Sequence, residues 1–284
     1  VELARARGLT IHVFEEGYMR PYWVTYERGG TNGNSRLMEM SVPEMRQALE
    51  NSDMDTALPP ASWGDMRQHV FYGALYHGFV LFLNRRYRHF RPHRALTVGQ
   101  EFKLYLKRLL MPVQAIERRL TTWRVRTGGF PYHIALLQLE HDASFQAHSP
   151  FSTMTEFLET VIDGFARGAP PHHHLVIKAH PLEDGRAPIR SELRRLVRAH
   201  GLRGRVHYLR GGKLAKLLDE ARSAVTVNST AAQQVLWRGI PLRTFGQAVY
   251  AKPQFVSTKP LSDFFAGAER PDRRAYTDYR RFLL

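Results

Sequence analysis

The residues with the chemistry to act on a substrate cluster at a few short places along the chain. Glu140 and Asp142 follow the apolar run 132–139, and Glu16 comes just after the run 9–14. A carboxylate at the end of a strand is placed to act as nucleophile or base in glycosyl chemistry, and equally to cap the turn or helix that follows. Lys178, His180 and Pro181 close the run 174–179. A histidine there can donate to a phosphate or a sugar carboxylate, or merely order the turn before the proline. Asn228, Ser229 and Thr230 stand where the run 223–228 gives way to a helical pattern at 230–237. Free N–H groups and hydroxyls at a helix start favour an anion, because the first amides lack acceptors and the helix dipole is positive there. The same residues serve as an ordinary N-cap. Gly246 and Gln247 follow one more apolar run, 241–245.

The elements that must position these residues alternate. Residues 132–139, 174–179, 206–209, 223–228 and 241–245 read as strands, separated by helical patterns at 153–166, 189–200, 214–221 and 230–237. Ser152 or Thr155 is expected to cap the first of these helices, with Gly168 and two prolines ending it. Strands alternating with helices of this length make βαβ units, hence a parallel sheet covered on both faces. Such sheets bind ligands outside the carboxyl ends of their strands, which is where the residues above fall. Upstream, 1–8 reads as the end of a helix stopped by Gly8, and 9–14 as a buried strand, as if further βα units preceded them. Residues 276–284 likewise read as a helix stopped without a cap. Residues 29–34 are turn-rich, and 36–128 read as mostly helical, with Pro112 expected to kink or divide the stretch.

Composition narrows the classes. The 284 residues are 43% hydrophobic and 24% charged, ordinary globular usage that argues against disorder, collagen and coiled coil. No cysteine is present, which removes disulfides, a thiolate nucleophile and Cys-ligated metals. Lys and Arg number 41 against 26 Asp and Glu, so the net charge of +15 favours an anionic partner: nucleic acid, an anionic membrane or a phosphorylated substrate. Much of the basic charge lies in 36–128, including a run at 85–94 that interleaves five arginines with aromatics. No nucleic-acid motif accompanies it, and there is no G-x-G-x-x-G or P-loop. The most apolar stretch, 69–84, has 16 residues and falls short of the roughly 18–20 needed to span a bilayer, so it reads as a buried or interface helix. His172, His173 and His174 are adjacent at a strand start, where neighbours point to opposite faces, and make poor co-ligands for one ion.

Taken in order, the motifs resemble one family. FEEGYMRP at 14–21, GTNGNS at 30–35, Trp63-Gly64 and FYGALY at 71–76 are similar to the N-terminal half of the bacterial capsule polysaccharide biosynthesis and export proteins of the KpsS type. QLEHDAS at 138–144, HSPF at 148–151, KAHPL at 178–182, VTVNST at 225–230, GIP at 239–241 and GQAVY at 246–250 follow the second half. The resemblance spans nearly the whole chain.

It implies more than composition does. The expected fold is α/β and GT-B-like, with two Rossmann-like halves and a helical, basic middle region. Residues 1–128 would be the remainder of the N-terminal, acceptor-side domain, and 129–284 the C-terminal, nucleotide-sugar-side domain. The implied activity is a retaining transfer of β-Kdo from CMP-Kdo to a lysophosphatidylglycerol-type lipid, starting the linker of a capsular polysaccharide. The alternative is a non-catalytic capsule export or assembly component. No metal or other cofactor is implied. The partners would be CMP-Kdo, the anionic lipid, the inner face of the cytoplasmic membrane and other capsule assembly proteins, not nucleic acid. By the same resemblance Asp142 is the expected nucleophile, with Glu140 able to hold that role, and Glu16 the acid/base or acceptor-orienting group. His180, with Lys178, would meet the donor's phosphate or carboxylate, and Arg20 the Kdo carboxylate. Asn228, Ser229, Thr230 and Gln247 complete the expected donor site.

Overall fold

The computed structural model describes residues 2–20, 23–50, 66–83, 96–109, 113–183 and 185–284. Trp63, the basic run 85–94 and Pro112 lie outside these residues. The chain forms two compact units, Val1–Leu58 with Leu120–Leu284, and Pro59–Arg119. The first takes in residues from both sides of the 128/129 division expected from the sequence.

The first unit holds a five-stranded parallel sheet. Its strands are β3 (Tyr132–Leu136), β4 (His174–Lys178), β5 (Val206–Leu209), β6 (Ala221–Thr226) and β7 (Leu242–Thr244), in the order β5-β4-β3-β6-β7. The central β3 and nearly all of β4 are buried on both faces, which is why they read as apolar runs, while β5 at the edge is half-buried. Tyr132, Ile134 and Leu136 point into one core, with Leu217, Leu218, Val235, Leu236, Tyr276 and Tyr279. Ala135 and Leu137 point into the other, with Phe157, Leu158, Val161, Ile162, Phe165, Leu193 and Phe264. The helices are therefore split between two faces: α7 (Met154–Gly168), α8 (Ile189–Ala199) and α11 (Leu261–Gly267) on one, α9 (Leu214–Leu218), α10 (Ala232–Trp237) and α12 (Arg273–Leu283) on the other. This is a mixed α/β fold built on a parallel sheet, as expected.

Capping differs in detail. Thr153, not Ser152 or Thr155, caps α7, its side chain accepting from the Glu156 N–H, and Glu156 reaches back to the Ser152 N–H at 2.8 Å. Gly168 is needed for close approach, since any Cβ there would overlap the Ser262 backbone of α11. The last helix starts at Arg273, ahead of the stretch read for it, and Asp272 caps its N-terminus, accepting from the Arg274 and Ala275 N–H groups.

The N-terminal segment departs further from expectation. After α1 (Glu2–Ala6), β1 (His12–Glu16) pairs antiparallel with β2 (Val24–Arg28). The strand expected at 9–14 is thus shifted and is not buried: His12, Phe14, Glu15 and Glu16 are exposed. Its apolar residues find a cross-strand partner instead of a core, with Phe14 stacked on Tyr26 at 4.7 Å. Two short 3-10 turns, Asn32–Asn34 and Arg36–Met38, lead into α2 (Val42–Glu50). Tyr18, Leu37, Val42 and Met45 join the sheet's core beside Tyr250, Tyr276 and Tyr279. Buried Lys252 donates to the Leu37 and Met38 carbonyls, and Arg46 pairs with Asp278 at 2.7 Å. α6 (Ala143–His148) follows β3 directly.

The second unit contains α3 (Met66–Leu83) and α4 (Val98–Leu109), packed against each other, and α5 (Val113–Thr127) starts within it.

Candidate functional site

Strand order reverses between β3 and β6, and this opens a crevice beyond their carboxyl ends. Two buried amides bridge it. Gln138, after β3, donates from Nε2 to Asn228 Oδ1 at 2.7 Å and accepts the Asn228 backbone N–H at 2.9 Å. Asn228 Nδ2 in turn donates to the Ser144 carbonyl at 2.9 Å and, at 3.4 Å, to that of His148. The crevice floor is thereby tied to α6.

The facing wall comes from the N-terminal segment. Glu27, buried at 8% exposure, accepts from the Tyr18 hydroxyl at 2.7 Å and the Ser35 hydroxyl at 2.6 Å. Tyr18 also accepts the Asn32 N–H at 2.9 Å, and Asn32 Nδ2 donates to Glu15. Burial and Glu27 push the Tyr18 hydroxyl well above its ordinary pKa, so it stays a protonated donor. These bonds hold Asn32 in the left-handed region at φ 55°, a conformation Asn tolerates better than most residues. Gly33 then lies against His148 and Gln247, where a Cβ would overlap both.

Between wall and floor lies a cleft of about 460 Å³. It brings together Glu16, Arg20, Asp142, His180, Asn228, Ser229 and Thr230, expected from four separate places in the sequence. Asp142 caps α6, Oδ1 accepting the Ser144 N–H at 3.1 Å, which orients the carboxylate and leaves Oδ2 without a protein partner among the described residues. His180 Nδ1 accepts the Leu182 N–H at 3.2 Å, which fixes the tautomer with the proton on Nε2. Burial, with Lys178, Arg20 and His141 nearby, lowers its pKa against the opposing pull of Asp142, so the ring is neutral and donates from Nε2. Arg20 pairs with Glu16 at 3.0 Å on the exposed rim. Ser229 Oγ accepts the Ala231 N–H, and the buried Tyr250 hydroxyl holds the Ser229 carbonyl at 2.7 Å. The Ser229 and Thr230 amides have no acceptor among the described residues. Asn228 lines the cleft, but its side chain is spent on the protein, so it holds the site in shape.

Three expected residues stand outside the lining. Glu140 accepts the Met154 N–H at 2.9 Å at the start of α7. Lys178 is buried and donates to the Ala179 carbonyl at 3.0 Å. Gln247 sits behind the rim against Gly33. Among the described residues no three His, Cys, Asp or Glu are grouped to hold a metal. His173 faces His133 at 3.0 Å while His174 faces His207 at 2.8 Å, on opposite sides of β4 as strand alternation requires. Gln138, Tyr18, Asn32, Ser144 and His148 also build the cleft. The sequence signal for Gln138 was a polar side chain at the end of an apolar strand, opposite another at Asn228.

A doubly wound sheet with a polar cleft at its switch point defines a ligand-binding α/β protein, with donors for an anion beside a free carboxylate. The family of capsule polysaccharide biosynthesis proteins matches residues 1–284, and the chain belongs to it. It is 28% identical over 293 residues to the capsule polysaccharide export protein KpsS of Escherichia coli, covering 99% of this chain and 72% of that one. The capsule polysaccharide modification protein LipB of Neisseria meningitidis serogroup A is also 28% identical, over 289 residues, 99% of this chain and 68% of that one. Among solved structures, the β-Kdo 2,7 transferase of Thermosulfurimonas dismutans KpsC aligns with 99% of this chain and 83% of its own, at TM-score 0.46 and 16% identity.

Proposed function

We propose that the chain is a retaining glycosyltransferase that moves Kdo from CMP-Kdo to a lysophosphatidylglycerol-type lipid in capsule polysaccharide biosynthesis. The observation that carries this is one cleft holding an Asp142 carboxylate oriented through Oδ1, its Oδ2 without a partner among the described residues, next to neutral donors, the His180 Nε2–H and the Ser229 and Thr230 amides. Donor and acceptor are those the sequence resemblance implies.

In this reading Asp142 Oδ2 bonds to the anomeric carbon as the bond to the CMP phosphate oxygen breaks, and CMP leaves with the electron pair. His180 and the two amides meet the charge on the departing phosphate. Arg20 keeps N–H groups beyond those turned to Glu16 and binds the Kdo carboxylate. Glu16 takes the proton of the acceptor hydroxyl, which displaces Asp142, and two inversions give net retention. Glu140, outside the cleft lining, takes no part. The reaction uses no metal and runs at the inner face of the cytoplasmic membrane, among other capsule assembly proteins.

The test is incubation of the protein with CMP-Kdo, generated in situ, and a fluorescent lysophosphatidylglycerol. A product heavier by one Kdo is expected, lost in Asp142→Ala and retained in Glu140→Gln. A folded protein that binds the lipid and forms no product would instead favour a non-catalytic assembly role.

A further inference from the structure

The wall loop 29–35 carries four polar side chains, Thr31, Asn32, Asn34 and Ser35. Two of them build the wall: Ser35 donates to buried Glu27 at 2.6 Å, and Asn32 Nδ2 donates to Glu15 at 2.8 Å. The side chains of Thr31 and Asn34 have no hydrogen bond among the described residues, and both residues line the cleft. Thr31 is the sharper case, because it is only 6% exposed and a polar side chain so withdrawn from water ordinarily has a partner. Both positions are fixed in advance of any ligand. The bonds of Tyr18 and Ser35 to Glu27 hold the ends of the wall, and Gly33 is pressed against His148 and Gln247. Gly30 lies so near Asn34 that a Cβ there would overlap that of Asn34.

We propose that Thr31 and Asn34 form a subsite for neutral hydroxyl groups of a substrate, across the cleft from the anion donors of the floor. The chemistry of the wall selects this class of ligand. Loop 29–35 has no Lys or Arg, and the Glu15 carboxylate is tied to it through Asn32. A phosphate placed there would meet a like charge and no cation. The Thr31 hydroxyl and the Asn34 amide each offer a donor and an acceptor, which matches a hydroxyl group that does both. Leaving a buried hydroxyl unpaired costs free energy, so a ligand that pairs with Thr31 is favoured over one that does not. The inference rests on the transfer reading above, which brings two sources of such hydroxyls: the transferred sugar and the glycerol of the lipid headgroup.

The test is steady-state transfer by Thr31→Val, Thr31→Ser and Asn34→Ala with CMP-Kdo, generated in situ, and a fluorescent lysophosphatidylglycerol. Calorimetry with CMP alone runs beside it. Valine keeps the shape of threonine and removes the hydroxyl. Thr31→Val and Asn34→Ala should each lower kcat/KM about three- to tenfold, the loss of one neutral hydrogen bond apiece. Thr31→Ser keeps the hydroxyl and should retain the wild-type value, and CMP affinity should be unchanged in all three. A raised KM for CMP-Kdo identifies the sugar as the source of the hydroxyls, and a raised KM for the lipid identifies its glycerol. Asn34 is exposed, so Asn34→Ala should fold as the wild type does and decides alone should Thr31→Val misfold. An active wild type matched by folded Thr31→Val and Asn34→Ala overturns this inference and leaves the transfer reading standing. So does a loss in Thr31→Ser equal to that in Thr31→Val, or a matching loss of CMP affinity, since the loop would then act through shape or read the ribose. A folded wild type that neither binds CMP nor forms product overturns the transfer reading, and this inference with it.

Discussion

Coupling between Gln138 and Asn228 can be measured with a double-mutant cycle. Gln138→Ala removes two bonds, Nε2–H to Asn228 Oδ1 at 2.7 Å and the Asn228 N–H to Oε1 at 2.9 Å. Asn228→Ala removes the first of these and the bonds to the Ser144 and His148 carbonyls. All are neutral pairs, at about 1 kcal/mol each net, and each loss strands buried partners. Gln138→Ala should therefore cost about 2–3 kcal/mol and Asn228→Ala about 2–4 kcal/mol. The two changes share only the side chain to side chain bond, so the double variant should fall short of their sum by about 1 kcal/mol. Urea denaturation of the four proteins reads this directly. Hydrogen exchange should rise at 144–148 in Asn228→Ala, because Asn228 ties the Ser144 carbonyl at the start of α6 to the floor. Additivity within about 0.3 kcal/mol, or single costs below about 0.5 kcal/mol, would refute the claim that this pair sets the cleft's geometry.

Three further outcomes are expected. Burial, reinforced by His173, holds His133 down to about 3, so the unfolded chain takes up a proton that the fold refuses. Stability is then complete above pH 6.5 and falls as pH drops toward 3, by up to about 1.4 kcal/mol per unit for this residue; His133→Gln should flatten urea midpoints measured across that window. Gly33→Val puts a side chain into His148 and Gln247, and should cost about 1–3 kcal/mol in thermal unfolding while weakening nucleotide binding in calorimetry. Asp142→Asn keeps an oxygen for the α6 cap but removes the nucleophile; kcat should fall on the order of 10³-fold or more with little change in melting temperature.

The parallel sheet was legible because strands buried on both faces must be apolar throughout, and the helices between them carry a single apolar stripe. β5 falls on the residues read for it. The residues at the strand ends were legible for the same reason: once the sheet is parallel, topology places Asp142, His180 and Ser229 on one edge. What escaped was set by contacts distant in sequence. β1 and β2 pair with each other, so a run that looked buried lies on an exposed ribbon. Glu27 reads as one more polar strand residue until Tyr18 and Ser35 are brought to it. Glu140 and Asp142 are two residues apart and chemically alike. Each accepts a backbone N–H at a helix start, and only the folded cleft, which Asp142 lines and Glu140 does not, tells them apart.

Whether the cleft at the β3–β6 switch point is a catalytic site with Asp142 as its nucleophile can be read by mass spectrometry of the protein incubated with CMP-Kdo, without acceptor. A Kdo adduct is expected on the peptide bearing Asp142, discharged by adding the lipid acceptor and absent from Asp142→Ala. An adduct on another residue, or transfer that persists at the wild-type rate in Asp142→Ala, would contradict that assignment.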